Sequence, residues 1–383
     1  MKSNYKRLGD YIRQVDVRNK DDERYDLLGV SVEKCFISSI ANTVGTDWHN
    51  YKIIKKGQFC YIPDTSRRGD KIGIAHLTDR EIGLVSAVYT VFEVWNKELV
   101  PEYLMLWFKR PEFDRYARYH SHGSVREIFD WEEMCNVELP VPPIEEQEKI
   151  VDAYQKIETR ITLKKKINKI LIDLCQTDYY NLIEELTSEN LATGTIGLYC
   201  DVKSGFAFKS DWWTTDGYKV IKIANIVENS IDLEHCDYVS EENALKSKLF
   251  FVQGGDLLIA MTGATTGKIG IVPYCNDNLT VNQRVGKFFL GDDPLNKLPF
   301  LVCTLLSKSV QAQLHPDGTA GSAQDNLSAD DIKNIKICLP TLNVISSFNV
   351  LHKSFFKTVI QNVAEIRSMI KLLETLLQII VIC

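Results

Sequence analysis

From Ile144 to about Glu185 the chain contains neither proline nor glycine, and the stretch is introduced by Leu139-Pro140-Val141-Pro142-Pro143. No other feature constrains the fold as strongly. The prolines close whatever precedes them, and Pro143 suits the first position of a helix, where its missing N–H costs nothing. Beyond it, apolar or interface residues fall at Ile150, Tyr154, Ile157, Ile161, Leu171 and Cys175, at steps of three and four. This is the seam of a long amphipathic or coiled-coil helix. At ~1.5 Å per residue it reaches roughly 60 Å, more than a globular core requires. A helix this long spaces other parts of a chain.

Those parts are two copies of one unit. Gly57-Gln58-Phe59-Cys60-Tyr61-Ile62 corresponds to Gly255-Asp256-Leu257-Leu258-Ile259-Ala260, and Lys71-Ile72-Gly73-Ile74 recurs unchanged as Lys268-Ile269-Gly270-Ile271. Gly123-Ser124 becomes Gly321-Ser322; Val137, Pro142 and Ile144 become Ile335, Pro340 and Leu342. The helical stretch has its own echo from Leu342 to about Ile380, with a seam at Phe348, His352, Phe355, Val359, Ile366, Met369, Leu373 and Leu376. The predicted order is globular unit, long helix, globular unit, long helix, with boundaries at 1–141, 142–188, 189–340 and 341–383. The period is too long for a solenoid. Two such helices can pack antiparallel and relate the halves by a pseudo-two-fold. Polar residues interrupt the seams at Lys164, Asn168, His352 and Asn362. Two readings stand: polar core residues that fix register, or residues facing solvent where the helices diverge.

Within the first unit, the pattern predicts strands at 59–62 and 71–74 and one buried strand over 84–94. It predicts a single helical segment over 101–119, where Tyr103, Leu106, Trp107 and Phe113 share a face. The class is α/β (α+β). Ten scattered cysteines form no CxxC and no zinc spacing, which fits reduced thiols in a cytoplasmic protein. The first residues lack the apolar core of a signal peptide, and the apolar run 376–382 is too short to span a bilayer. The net charge of −6 argues mildly against nucleic acid but leaves room for local basic surface.

The search for catalysis is negative. Gly263-Ala264-Thr265-Thr266-Gly267-Lys268-Ile269 has three residues between its glycines and no Ser/Thr after the lysine, so it is not a phosphate loop. There is no Asn/Asp-Pro-Pro-aromatic tetrapeptide, no glycine-rich AdoMet turn, no Gly-x-Ser-x-Gly and no His-Glu-x-x-His. Asp201-Val202-Lys203 lacks the upstream Pro-Asp of a nuclease. His120 and His122 have no carboxylate or cysteine at ligand spacing, so a loop contact or solvation describes them better than a metal site.

Each unit carries two polar loops at equivalent places. The first unit offers Arg67, Arg68 and Lys71, then His120, His122, Ser124 and Arg126; the second offers Thr262, Thr265, Thr266 and Lys268, then Thr319, Ser322 and Gln324. These side-chain types contact phosphates and base edges. Loops that keep their place while changing sequence suit two readers of different sequences. Ordinary variable surface loops are the alternative.

At this point the chain resembles the DNA specificity subunit of type I restriction–modification systems, over essentially its full length. The resemblance rests on the Leu8-Gly9-Asp10-Tyr11-Ile12 opening and the stretch Gly255–Ile271. It rests also on Leu139-Pro140-Val141-Pro142-Pro143-Ile144-Glu145-Glu146-Gln147 leading into a long helix. The second junction, at Leu339–Ile345, lacks the Glu-Gln pair. The resemblance implies two target-recognition domains on double-stranded DNA, each reading half of a bipartite target, with the two antiparallel coiled-coil helices as ruler. It implies two methyltransferase subunits, which bring AdoMet, and restriction subunits, which bring ATP and Mg. This chain would itself hold no cofactor and no metal, catalyse nothing and touch no membrane. Three rivals differ in kind: a specificity subunit for a fused methylase–nuclease, a stand-alone DNA-modifying enzyme with diverged motifs, and a structural adaptor.

Overall fold

The computed structural model describes residues 5–39, 47–65, 71–123, 127–186, 191–227, 229–315 and 326–380. By packing, the chain divides into two compact units. Unit one is Met1–Thr159 with Ile370–Cys383, and unit two is Arg160–Met369. The long helices run Ile144–Glu185 and Leu342–Ile379, and each contributes to both units.

Unit one is built on two four-stranded sheets. The first has the order Ile12–Val15, Thr90–Val94, Phe59–Tyr61, Ile74–His76, all antiparallel. The second has the order Phe36–Ser38, Leu27–Val30, Ile82–Val85, Lys52–Lys55, with one parallel pair. Strand side chains alternate between faces. Cys60, Ile62 and Val91 therefore join Leu28, Val30, Ile54 and Val85 in one cluster. Phe59 and Phe92 point the other way, stack on each other at 5.0 Å, and meet Phe108 edge-on. Helices cover this aromatic face.

Unit two repeats the plan with larger sheets. One has six strands in the order Asp201–Ser204, Val285–Phe289, Leu257–Ala260, Ile269–Ile271, Asn229–Ile231, Ile226–Val227; the other has five. Leu257 and Ile259 face the helices, and Leu258 and Ala260 face the opposite cluster.

Three expectations need correction. The segment 84–94 is not one strand but two, Ile82–Val85 and Thr90–Val94, and they belong to different sheets. A turn closed by Tyr89 N–H to the Ser86 carbonyl separates them. The segment 101–119 is two helices, Pro101–Phe108 and Pro111–Tyr119. Pro111 has no N–H to continue the first and instead opens the second. Third, the identical Lys-Ile-Gly-Ile tetrapeptides are not structural equivalents. Cys60 pairs with Ala75, whereas its counterpart Leu258 pairs with Gly270, so Ala75 matches Gly270 and Gly73 matches Lys268. An offset of two residues leaves every side chain on the same face, so the apolar pattern could not expose it.

The Leu-Gly-Asp opening acquires a physical reason here. Leu8–Asp10 is a 3-10 turn packed on the helix Trp131–Asn136, and a Cβ on Gly9 would lie 2.8 Å from the Cys135 Cβ. Gly197 stands in the same place in unit two, against Lys333. The backbone bonds Leu8 N–H to Val137 and Ile196 N–H to Ile335 are likewise equivalent.

The helix junction is also explained. The first long helix starts at Ile144, and the Pro143 carbonyl accepts from the Glu146 and Gln147 N–H groups, so Pro143 sits one position earlier than expected. Gln147 is fully buried. Its amide donates to the Glu98 and Pro142 carbonyls, each at 2.7 Å, and accepts from Val100 N–H at 2.8 Å. This ties the start of the long helix to the turn before Pro101. Unit two has Ile345 at the matching position and uses Asn349 instead, one turn further on. Asn349 accepts from Phe300 N–H at 2.9 Å and donates to the Tyr199 hydroxyl at 3.2 Å.

Candidate nucleic-acid interface

Within each unit the two polar loops come together. In unit one, Phe129 N–H donates to the Pro63 carbonyl, Asp64 bridges Ile128, and His122 pairs with Ile128 through backbone bonds. The Thr65 hydroxyl donates to Ser121 at 2.9 Å. In unit two, Leu327 N–H donates to the Met261 carbonyl at 2.8 Å, the counterpart of the Phe129–Pro63 bond. The pairing uses main-chain atoms at the shared position, so the loop side chains are left free to differ.

The individual side chains divide into three groups. Lys71, His122 and Lys268 are exposed. Lys71 pairs with Glu33 at 3.0 Å. His120 is held: its Nδ1 lies 3.2 Å from Glu133 and its ring packs 4.2 Å from Tyr116. Thr266 is buried, and its hydroxyl donates to the Gly263 carbonyl at 2.7 Å. It therefore holds the turn rather than facing outward, and it stands where unit one has Lys71. The Thr262 and Thr265 hydroxyls are buried with no hydrogen-bond partner among the described residues. Arg67, Arg68, Ser124, Arg126, Thr319, Ser322 and Gln324 lie outside the described residues. Among the described residues no three His, Cys, Asp or Glu converge on a metal position.

Sequence reading missed a second feature of unit two. The Lys222 ammonium lies 3.8 Å from the Trp213 ring centre and pairs with Asp237; Lys246 lies 4.6 Å from Trp212. The turn holding Lys222 abuts the polar loop, because a Cβ on Gly263 would lie 3.5 Å from Ile223. An ammonium over a ring face is attracted by the ring quadrupole, so these lysines are held in place beside the loop. The adjacent tryptophans were a visible signal; the lysines, remote in sequence, were not.

In unit two the long helices run antiparallel, and the polar interruptions meet. Lys164 Nζ donates to Asn362 Oδ1 at 2.7 Å, and Asn362 Nδ2 donates to Asn168 Oδ1 at 2.7 Å. Lys164 also pairs with Glu365 at 2.8 Å, which holds the Glu365 carboxyl below the usual range. His352, 1% exposed, lies 2.9 Å from Asp178. The solvent-facing alternative does not describe these residues: they pair across the seam. Around them Val359 and Ile366 are buried and Ile161, Leu171, Phe355 and Met369 are half-buried. In unit one Tyr154 and Leu373 are buried and Ile150 and Ile157 half-buried; Phe348, in unit two, is buried. A different row on the first helix, Leu163, Ile167, Ile170 and Leu174, is 45–57% exposed.

Comparison with known proteins agrees with this geometry. Residues 10–171 and 189–374 both match the family described as type I restriction modification DNA specificity domain. The chain belongs to that family. This specificity-domain protein is 25% identical over 277 residues to the type I restriction enzyme MjaVIII specificity subunit of Methanocaldococcus jannaschii. That match covers 68% of this chain and 64% of the relative, slightly under two thirds of the latter. It is 28% identical over 176 residues to the EcoBI specificity subunit of Escherichia coli, covering 45% of this chain and 33% of that one. The crystal structure of a type I restriction–modification S subunit from M. genitalium superposes with a TM-score of 0.59, covering 98% and 95% of the two chains. At 15% identity this establishes the shared fold. Both of these relatives are named as specificity subunits of type I restriction enzymes. Among the described residues, no helix is long and apolar enough to cross a membrane.

Proposed function

We propose that the chain reads a split, asymmetric sequence in double-stranded DNA, one half with each unit. The carrying observation is the loop pair. The same backbone bond seats it in both units, while the side chains it presents differ. Phosphate and base contacts would come from Lys71, His122 and Lys268, and from Arg67, Arg68, Ser124, Arg126, Thr319, Ser322 and Gln324 in the remaining loop segments. The antiparallel helices set the gap between half-sites, and the Lys164–Asn362–Asn168 ladder marks their register. A polar residue in a coiled-coil seam is a well-attested register device.

Two methyltransferase subunits supply AdoMet chemistry on adenine, and restriction subunits supply ATP, Mg and cleavage; the complex works in the cytoplasm. The exposed row Leu163, Ile167, Ile170, Leu174 falls at coiled-coil spacing and is open to a partner helix. Partner subunits also reconcile an acidic chain with DNA, because they contribute phosphate neutralisation.

Methylome sequencing tests this in a host expressing the chain with its methyltransferase. The expected result is a bipartite motif with methylated adenines in both halves. Replacing residues 1–141 by the equivalent part of a relative should change one half and leave the other half and the gap unchanged. A single continuous motif, or a motif indifferent to the swap, would overturn the reading.

A further inference from the structure

The second long helix has an attachment to unit two that none of the contacts above uses. Ile345, Phe348, Phe356 and Ile360 of this helix join the core cluster of the unit. Arg367 lies about two turns beyond Ile360, roughly 10 Å further along the axis. Its side chain is 19% exposed, and its guanidinium forks between two carboxylates. Nε donates to Glu234, and Nη1 donates to Asp277 at 2.7 Å.

Those two carboxylates stand where the chain crosses between sheets. Glu234 is in the turn that leads from Asn229–Ile231 of the six-stranded sheet to Asp237–Val239 of the five-stranded one. Asp277 is in the turn that leads from Ile269–Ile271 of the six-stranded sheet to Leu279–Val281 of the five-stranded one. Lys219, buried on a strand of the five-stranded sheet, ties the turns to each other. Its ammonium lies 3.3 Å from the other Asp277 oxygen and donates to the Leu233 carbonyl at 2.9 Å. Burial works against the Asp277 carboxylate, yet Arg367 and Lys219 hold its pKa below the usual range. One guanidinium on the helix thus grips both crossings at once. A lysine ammonium lacks the planar fork that does this. The duplicated position on the first helix is Lys169, which is exposed, so the fork is particular to the second helix.

The leverage follows from distance. Asn349 and the apolar contacts hold the near end of the helix. Arg367 lies about five turns past Asn349, roughly 27 Å away. Attachment at one end leaves a body free to pivot, whereas attachment at two such distant points fixes an angle. A pivot of the sheets about the near end has to break the Arg367 fork.

We propose that Arg367 is a positioning residue that fixes the angle of the sheets of unit two on the second long helix, and so restricts the complex to one gap between half-sites. The inference rests on the split-target conclusion above. DNA whose gap is one base pair too long or too short can be read only if the recognition part tilts, and tilting breaks the fork. The free energy of the fork is therefore the gap discrimination that it supplies.

The test uses the assembled complex with its methyltransferase subunits. The duplexes carry both half-sites at the gap found by methylome sequencing, or at one base pair more or less. Initial methylation rates are measured for wild type, Arg367→Met, Arg367→Lys and Glu234→Gln, with melting and assembly of each compared. Wild type should favour the native gap. Arg367→Met should narrow that preference by about tenfold, the effect of losing one charge-assisted hydrogen bond, while the rate at the native gap and the half-site sequences stay the same. Arg367→Lys, which keeps one partner, and Glu234→Gln, which weakens one, should fall between. An unchanged gap preference in Arg367→Met overturns the proposal. So does a rate lowered equally at every gap, which would make the contact merely structural. Where Arg367→Met fails to assemble, Glu234→Gln, on an exposed turn, is judged by the same two criteria. If the wild-type complex methylates every gap alike, the split-target conclusion fails first and the positioning role with it.

Discussion

The ladder between the long helices offers the sharpest stability experiment. In the variant Asn362→Leu, Asn168 Oδ1 loses its donor at 2.7 Å, while its amide keeps only the long 3.5 Å contact to the Val359 carbonyl. Lys164 keeps Glu365 at 2.8 Å, so its ammonium is not left alone. The loss therefore falls on a half-buried amide facing an apolar side chain. An unsatisfied buried polar group costs about 1–3 kcal/mol, and that is the expected destabilisation. The variant Asn168→Leu takes the acceptor from Asn362 Nδ2 but leaves Lys164 donating to Asn362 Oδ1, and should cost about 1 kcal/mol. The double variant Asn168→Leu, Asn362→Leu removes both amides and packs leucine on leucine. It should recover most of the loss, because replacing both partners of a buried polar pair by apolar groups is often close to neutral. Urea unfolding of the four proteins closes a double-mutant cycle, with unit-two fluorescence as the signal. The expected coupling is about 1–2 kcal/mol. Additivity within about 0.3 kcal/mol would refute the ladder as a paired unit and return these residues to independent surface positions.

Four further outcomes are expected. Gln147→Ala removes three buried hydrogen bonds and should destabilise unit one by about 2–4 kcal/mol, read as an earlier urea midpoint. Lys268→Ala should weaken DNA binding by the complex with no change in its melting, since the side chain is exposed at the start of a strand; unchanged binding and methylation would remove it from the interface. Glu365 has its folded-state pKa lowered by the Lys164 hydrogen bond, so its contribution is present above the ordinary glutamate range and is lost as pH falls through the depressed value; Glu365→Gln should flatten that acid limb in a pH-dependent melting series. Deleting one heptad from each long helix should alter the gap in the methylated motif or abolish activity, while the half-site sequences stay the same.

What the sequence displayed plainly was period and punctuation. The two long helices were legible because a seam sustained over ten turns needs no tertiary knowledge, and the proline pairs marked where one begins. The duplication was legible because glycines recur where the backbone demands them: Gly57 and Gly255 both take positive φ, at 84° and 95°. Register inside the repeat was not legible, since the two-residue offset at Lys71 and Lys268 preserves every apolar face. Nor were the partners of polar seam residues. Lys164 and Asn362 are 198 positions apart, and Lys34 and Asp114 are 80 apart. Whether such a residue is wet or paired is decided by packing, which local pattern does not record. The loop side chains stood at the boundary: their position was visible, but not that Thr266 turns inward while Lys268 stays out.

The two junctions show what the fold holds fixed. Each long helix is tied to its unit by one buried amide, Gln147 in the first and Asn349 in the second. The residue type, the position along the helix and the groups it bonds all differ, yet each amide accepts a backbone N–H near the start of a preceding helix. What persists is the attachment of helix to unit, not the sequence that makes it. The loop pair follows the opposite rule: the anchor common to both units is a main-chain bond at one shared position, so exposed side chains such as Lys268 can change without disturbing that bond. On the proposed function, a protein that changes what it reads while keeping how far apart it reads would need this division: affinity and specificity on groups whose replacement leaves the fold intact, spacing on groups whose replacement does not. Swapped loops should therefore yield stable proteins with new targets, whereas equally conservative changes at Gln147, Asn349 or Asn362 should damage stability before they alter any base preference.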